Sequence, residues 1–197
     1  MTWRDVPGWF DYADVYDKAL ARVPANGVMV EVGVFMGKSA LYMAEKMQET
    51  SSRASFYCVD PWQITEEWPM ARQIENAKQS GLDTSKMQEF GSLFRAFSWY
   101  VSQSPIADYL RVLRVGSVEA SLLFDKVDFL FIDADHTYDG TAEQLEAWHS
   151  LVYAADGVIA GHDYDNPNWP GVKVAVDEFY GNRVQVMGNS WWVDLSA

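Results

Sequence analysis

A chain of 197 residues, 49% hydrophobic and 22% charged, is long enough for one domain with a sizeable core and too apolar to stay disordered. Its net charge of −13, with Lys and Arg scattered, argues against nucleic acid as a partner, because phosphate contacts need clustered cations. No apolar run approaches the roughly 20 residues that span a bilayer, and residues 1–5 lack the basic-then-apolar order of a signal peptide.

Residues 9–22 carry apolar side chains at helical spacing (Phe10, Val15, Tyr16, Ala19 and Leu20 among them), and their Trp and Tyr suit either packing or a homo-oligomer contact. Residues 24–27 break that pattern, 28–33 read as a buried strand, and a helix follows over 37–47. Residues 55–60 form a second short strand ending in a carboxylate. Cys58 within it reads as a small buried hydrophobe. As the single cysteine it cannot close an internal disulfide, which suits a reducing cytoplasm.

The stretch 61–109 is different, being polar-aromatic with no good strand. It predicts two helices, about 66–80 and 84–103, laid over the domain as a lid. Trp62, Trp68 and Trp99 are then candidate walls of an acceptor pocket. Strands follow at 110–115, at 127–133 (the strongest in the chain) and at 157–162, with helices over 117–124, 138–151 and 172–180. Two closing strands, 184–187 and 191–195, flank a Gly188-Asn189-Ser190 turn. Strands alternating with helices predict one Rossmann-like, doubly wound α/β domain over 1–197, with a seven-stranded, mostly parallel sheet and an antiparallel C-terminal hairpin strand. Residues 1–24 form its N-terminal helical segment. In such sheets ligands bind beyond the carboxyl ends of the strands, so the polar residues there carry the function.

After the first strand come Gly33 and Gly37, followed by Lys38 and Ser39. The spacing is neither G-x-G-x-x-G nor the phosphate-cradling G-x-x-x-x-G-K-[ST], and Phe35 would crowd a pyrophosphate. The pair suits either close approach of a ligand or an ordinary strand-to-helix turn. Asp60, closing the second strand, suits either a ribose acceptor or a helix cap. Asp133, His162 and Asp163 end two strands expected to be neighbours, and two carboxylates with one imidazole form a ligand set for a divalent ion. The bland reading has His162 and Asp163 capping their strand and anchoring the loop through Trp169. His149 reads as surface or packing, and no nucleophile turn favours hydrolysis.

Glu31-x-Gly33-x-x-x-Gly37, the acid at Asp60 and residues 131–136 (Phe-Ile-Asp-Ala-Asp-His) together resemble the class I S-adenosylmethionine-dependent methyltransferases. Residues 157–164 (Gly-Val-Ile-Ala-Gly-His-Asp-Tyr) are similar to the macrocin O-methyltransferase group, itself related to the metal-dependent catechol-type enzymes. The resemblance covers about 25–195. It implies that Glu31 and Gly33 flank the methionine part of the cofactor, with Gly37 and Ser39 on the same loop. It further implies that Asp60 holds the ribose and that Gly116 and Ser117 lie near the adenine. Asp133, His162 and Asp163 would hold Mg²⁺ or Mn²⁺. His162 departs from the carboxylate usual there; as a softer ligand it would favour Mn²⁺, Fe²⁺ or Zn²⁺ over Mg²⁺, or leave the set without a metal. His136, in a D-x-x-H arrangement with Asp133, would be the base, and Asp135 would contact the cofactor or orient His136.

The function expected is metal-assisted O-methylation of a small hydroxylated molecule, a sugar or natural-product scaffold. Carboxylates would favour the sulfonium cation of the donor. A metal-dependent hydroxylase of the same fold and a catalytically silent cofactor-binding protein are the alternatives. Phe35 and the missing third glycine disfavour a nicotinamide enzyme.

Overall fold

The computed structural model describes residues 1–66 and 68–196. Its strands are β1 (Val28–Val32), β2 (Ser55–Val59), β3 (Leu110–Leu113), β4 (Phe129–Ile132), β5 (Val158–Gly161), β6 (Gln185–Met187) and β7 (Ser190–Asp194). They form one seven-stranded sheet in the order β3-β2-β1-β4-β5-β7-β6. β1 to β5 are parallel, and β7 runs antiparallel between β5 and β6. Every residue of β4 and β5 is buried, as their continuous apolar sequences require.

The helices are α1 (Ala13–Arg22), α2 (Lys38–Glu49), α3 (Met70–Gln79), α4 (Ser85–Phe90), α5 (Leu93–Ser102), α6 (Ser117–Ser121), α7 (Tyr138–Tyr153) and α8 (Pro170–Tyr180). On one face of the sheet Met29, Phe56, Phe129 and Phe131 pack with Tyr16 of α1 and Leu41 and Met43 of α2. On the other, Val30, Leu130 and Ile159 pack with Trp148 of α7 and Val176 of α8. Each such side chain withdrawn from water contributes about 1.5–3 kcal/mol. The two-residue period of β1 places Glu31 with Met29 on the first face, where it is fully buried.

Three expectations are corrected. α1 begins at Ala13 rather than at residue 9. Phe10 instead packs edge-on to Trp3, Trp9 meets Phe35, and Tyr12 meets Phe131, directions that one helix face does not supply. The helix expected over 84–103 is two helices, broken where Gly91 takes φ +56° and Ser92 caps α5 through the Arg95 N–H at 3.3 Å. Finally, α5 does not merely lie over the domain: Leu93, Ala96, Phe97 and Tyr100 are buried in the first core, together with Met87 of α4 and Trp62.

Strand order reverses between β1 and β4, and their carboxyl ends define the crevice. Gly33 sits there at φ +88°, and a Cβ added to it would lie 1.9 Å from the Asp133 carbonyl oxygen. Only glycine permits this approach of two backbones.

Candidate active site

The loop from β1 into α2 is held from beneath. Asp60 accepts the N–H groups of Val34 and Phe35 on one oxygen, at 3.0 and 3.1 Å, and of Trp62 on the other at 2.6 Å. Three of its roughly four acceptor positions are therefore occupied by the chain's own backbone. Burial raises its pKa even so, against those three bonds. The Trp62 indole N–H donates to the Phe35 carbonyl at 2.6 Å, and its ring packs 4.5 Å from that of Phe97. At 3% exposure Trp62 is a core residue and not a pocket wall.

Glu31 and Ser39 are buried beneath the same loop, the serine hydroxyl donating to the carboxylate. Oε2 of Glu31 and the Tyr16 hydroxyl, both buried, have no hydrogen-bond partner among the described residues. Burial pushes the Glu31 pKa up to about 8. Gly37 opens α2 at φ +89° against the ring of Phe97. Gly116 precedes α6, and the Ser117 hydroxyl that begins it accepts the Trp148 indole N–H at 3.0 Å. Glu31, Ser39, Asp60 and Ser117 thus each have a structural partner inside the protein.

Beyond β4 and β5 side chains face one another instead. The Nε2 atom of His136 lies 3.3 Å from Oδ1 of Asp133 and 2.9 Å from Oδ2 of Asp163. Burial acts to lower the His136 pKa, but the two carboxylates outweigh it and carry it up to about 10. Burial likewise opposes ionisation of Asp163, yet His136, His162 and Asn166 hold its carboxyl well below the usual range. Asp163 stands at φ +58°, a left-handed conformation that Asp tolerates better than most residues, and Asn166 and Asn189 donate to its Oδ1 at 2.6 and 3.2 Å.

His162 is flanked differently. Nε2 pairs with Oδ1 of Asp11 at 2.7 Å, and Nδ1 lies 3.5 and 3.8 Å from Asp163 and Asp133. Against the effect of burial, these carboxylates raise its pKa to about 9. Tyr12 donates to Oδ2 of Asp133 at 3.4 Å and sets its ring 4.9 Å from that of His162. Above His136 the Trp169 ring stacks at 4.9 Å, and Trp68 packs on Trp169 at 5.9 Å. Asp135 turns aside, accepting the backbone N–H and hydroxyl of Thr137 at 2.8 and 2.7 Å, and so shapes the entry to α7 rather than orienting His136. His149 meets the Tyr180 hydroxyl at 3.2 Å, in packing.

One ligand atom each from Asp133, His136 and Asp163 lies within 4.8 Å of the others, so these residues fit a divalent cation. The sequence placed His162 in that trio; the structure puts His136 there, with His162 alongside. Asp11, Tyr12, Asn166 and Asn189 carry no motif, and contacts between segments as far apart as Asp11 and His162 leave no mark in local spacing.

The sheet order is that of the Rossmann-like methyltransferase fold. The family model described as a methyltransferase domain matches residues 30–164, more than half of the chain, and the chain belongs to that family. Among solved structures it is similar to CalS11, a calicheamicin methyltransferase (15% identity, 93% of this chain, 77% of that one, TM-score 0.61). It is also similar to the O-methyltransferase NovP (18%, 93% and 78%, TM-score 0.59). A putative rRNA methylase from Clostridium thermocellum matches too (12%, 94% of each chain, TM-score 0.53). At such identities the likeness is one of fold. No curated protein matches the sequence. Among the described residues, no helix is long and apolar enough to cross a membrane.

Proposed function

We propose that the chain transfers a methyl group from S-adenosylmethionine to a hydroxyl of a small molecule, with a divalent cation held by Asp133, His136 and Asp163. The observation that carries this reading is the trio itself, gathered within 4.8 Å at the mouth of the crevice. Resemblance to CalS11, a TDP-rhamnose 3'-O-methyltransferase, and to NovP favours a sugar or natural-product acceptor.

The donor supplies a methyl already activated by its positive sulfur, so the protein's task is alignment and exclusion of water. Gly33 lets the backbone of this loop close on that of Asp133, and Gly37, with Ser39 and Glu31 behind it, fixes the start of α2. Asp60 shapes the rim and retains one acceptor position for a ribose hydroxyl. Gly116 and Ser117, at the neighbouring edge, border the place of the adenine. A bound cation would fix an acceptor oxygen and ease loss of its proton. His136 meets both carboxylates through Nε2, the nitrogen that would bind the cation, so ligation and base function compete for one atom. We assign it to ligation. Trp169 and Trp68 wall the acceptor side.

Calorimetry with S-adenosylmethionine, its demethylated product and NAD, each with and without chelator, tests the reading. The first two should bind and NAD should not. Methyl transfer to a panel of small hydroxylated acceptors should fall at least about 100-fold in Asp163→Asn. Bound iron with O₂-dependent turnover would indicate the hydroxylase alternative, and Asp133→Ala and His136→Ala variants that change neither activity nor ligand affinity a silent module.

A further inference from the structure

We infer that this site takes a transition-metal dication in preference to Mg²⁺, because a second imidazole, His162, is held toward the same two carboxylates by Asp11. The inference rests on the cation reading above and names the residues that would set the metal's identity.

Each nitrogen of the buried His162 ring has a carboxylate against it. Nε2 lies 2.7 Å from Oδ1 of Asp11, a bond that takes up the ring N–H. In the neutral imidazole this leaves the lone pair on Nδ1. That atom lies 3.5 Å from Oδ1 of Asp163 and 3.8 Å from Oδ1 of Asp133. A ligating histidine is commonly fixed in this way, its outer nitrogen donating to a carboxylate that sets tautomer and ring angle. The Tyr12 ring, 4.9 Å away, restrains the imidazole plane, and its hydroxyl steadies Asp133 at 3.4 Å. With Nε2 of His136 at 2.9 and 3.3 Å, imidazole nitrogens stand 2.9 to 3.8 Å from the two carboxylates. Donors sharing a first-row cation at about 2.1 Å are themselves about 3.0–3.5 Å apart. Mg²⁺ favours oxygen ligands and retained water, whereas Mn²⁺, Fe²⁺, Co²⁺ and Zn²⁺ accept imidazole readily. Two nitrogens beside two carboxylates suit the second group.

Asp11 makes the inference testable, since its side chain is 66% exposed and its loss leaves no cavity. The full chain, stripped with chelator, is titrated with Co²⁺ and separately with Mg²⁺ by calorimetry, and the Co²⁺ complex is read by visible absorption. Co²⁺ should bind at least about 100-fold more tightly than Mg²⁺. Asp11→Ala should weaken Co²⁺ by about 10–100-fold and change its spectrum, while S-adenosylmethionine affinity holds. Asp11→Asn, which keeps an acceptor, should recover most of the loss, and His162→Asn should erase most of the Co²⁺ preference. Equal affinity for the two cations, or Co²⁺ binding indifferent to Asp11→Ala and His162→Asn, overturns the inference and leaves the trio standing. A wild-type chain that binds S-adenosylmethionine but neither cation overturns this inference together with the cation part of the proposed function.

Discussion

Beyond β1 and β2 the polar groups of the crevice are bound up by the chain itself: Asp60 takes three backbone N–H groups, Ser39 meets Glu31, and the Trp62 indole closes on Phe35. Beyond β4 and β5 four segments bring Asp11 and Tyr12, Asp133 and His136, His162 and Asp163, and Asn189 together with acids and imidazoles facing one another. The first region is a built floor whose side chains serve the fold. The second is a cluster of mutually constrained charges, the kind of arrangement found where chemistry is done. Mutations should separate them, with losses in stability on the β1–β2 side and losses in ligand affinity on the β4–β5 side.

The largest stability effect is expected at Trp62. It is 3% exposed, packs on Phe94 and Phe97, and donates to a loop carbonyl. Trp62→Ala leaves a large cavity and an unpaired carbonyl, and should cost roughly 3–5 kcal/mol in urea denaturation. A midpoint within error of the wild type would return Trp62 to the pocket wall that its position after Asp60 suggests.

Glu31 gives a pH-dependent form of the same comparison. Burial raises its pKa from an ordinary 4.5 to about 8, so between those values the folded chain keeps a proton that the unfolded chain has released. The contribution of Glu31 to stability is whole below pH 4.5, declines as pH rises toward 8, and is flat above. Glu31→Gln cannot titrate and should remove that decline. The stability of the variant relative to wild type should rise between pH 5 and pH 8 by up to a few kcal/mol, at about 1.4 kcal/mol per pH unit. An equal difference at both pH values would mean that the carboxyl is ionised in the fold, with Oε2 bound to a partner such as water.

The floor was the more legible half in the sequence. Gly33, Gly37 and Asp60 signal a tight turn and an acid at adjacent strand ends, and the strands on which they ride have unmistakable apolar patterns. What the pattern could not show is that Asp60 would turn toward backbone N–H groups, since a ribose acceptor and a loop cap use the same residue at the same place. Asp133 and Asp163 were legible as strand ends, but the choice between His136 and His162 depends on ring directions fixed by Trp169 and by Asp11. Asp11 and Tyr12 fall within the helix that apolar spacing predicts from residue 9. The chain is irregular there because its aromatic residues each find a different partner, a tertiary preference that overrides local spacing.

Trp68 should show the smallest stability loss and the clearest functional one. Its half-buried ring lies between the Arg72 guanidinium, 4.3 Å from the centroid, and Trp169, which in turn stacks on His136. Trp68→Ala removes no core contact on the β1–β2 side and should cost about 1 kcal/mol or less. The Trp169 ring, deprived of this contact, would hold His136 and any acceptor beside it less firmly, so the acceptor KM should rise several-fold. S-adenosylmethionine affinity, which on the proposed reading depends on the loop that Trp62 secures, should be unchanged. If Trp68→Ala weakens the donor as much as the acceptor, the two regions are not separable and the aromatic stack belongs to the cofactor's side of the crevice.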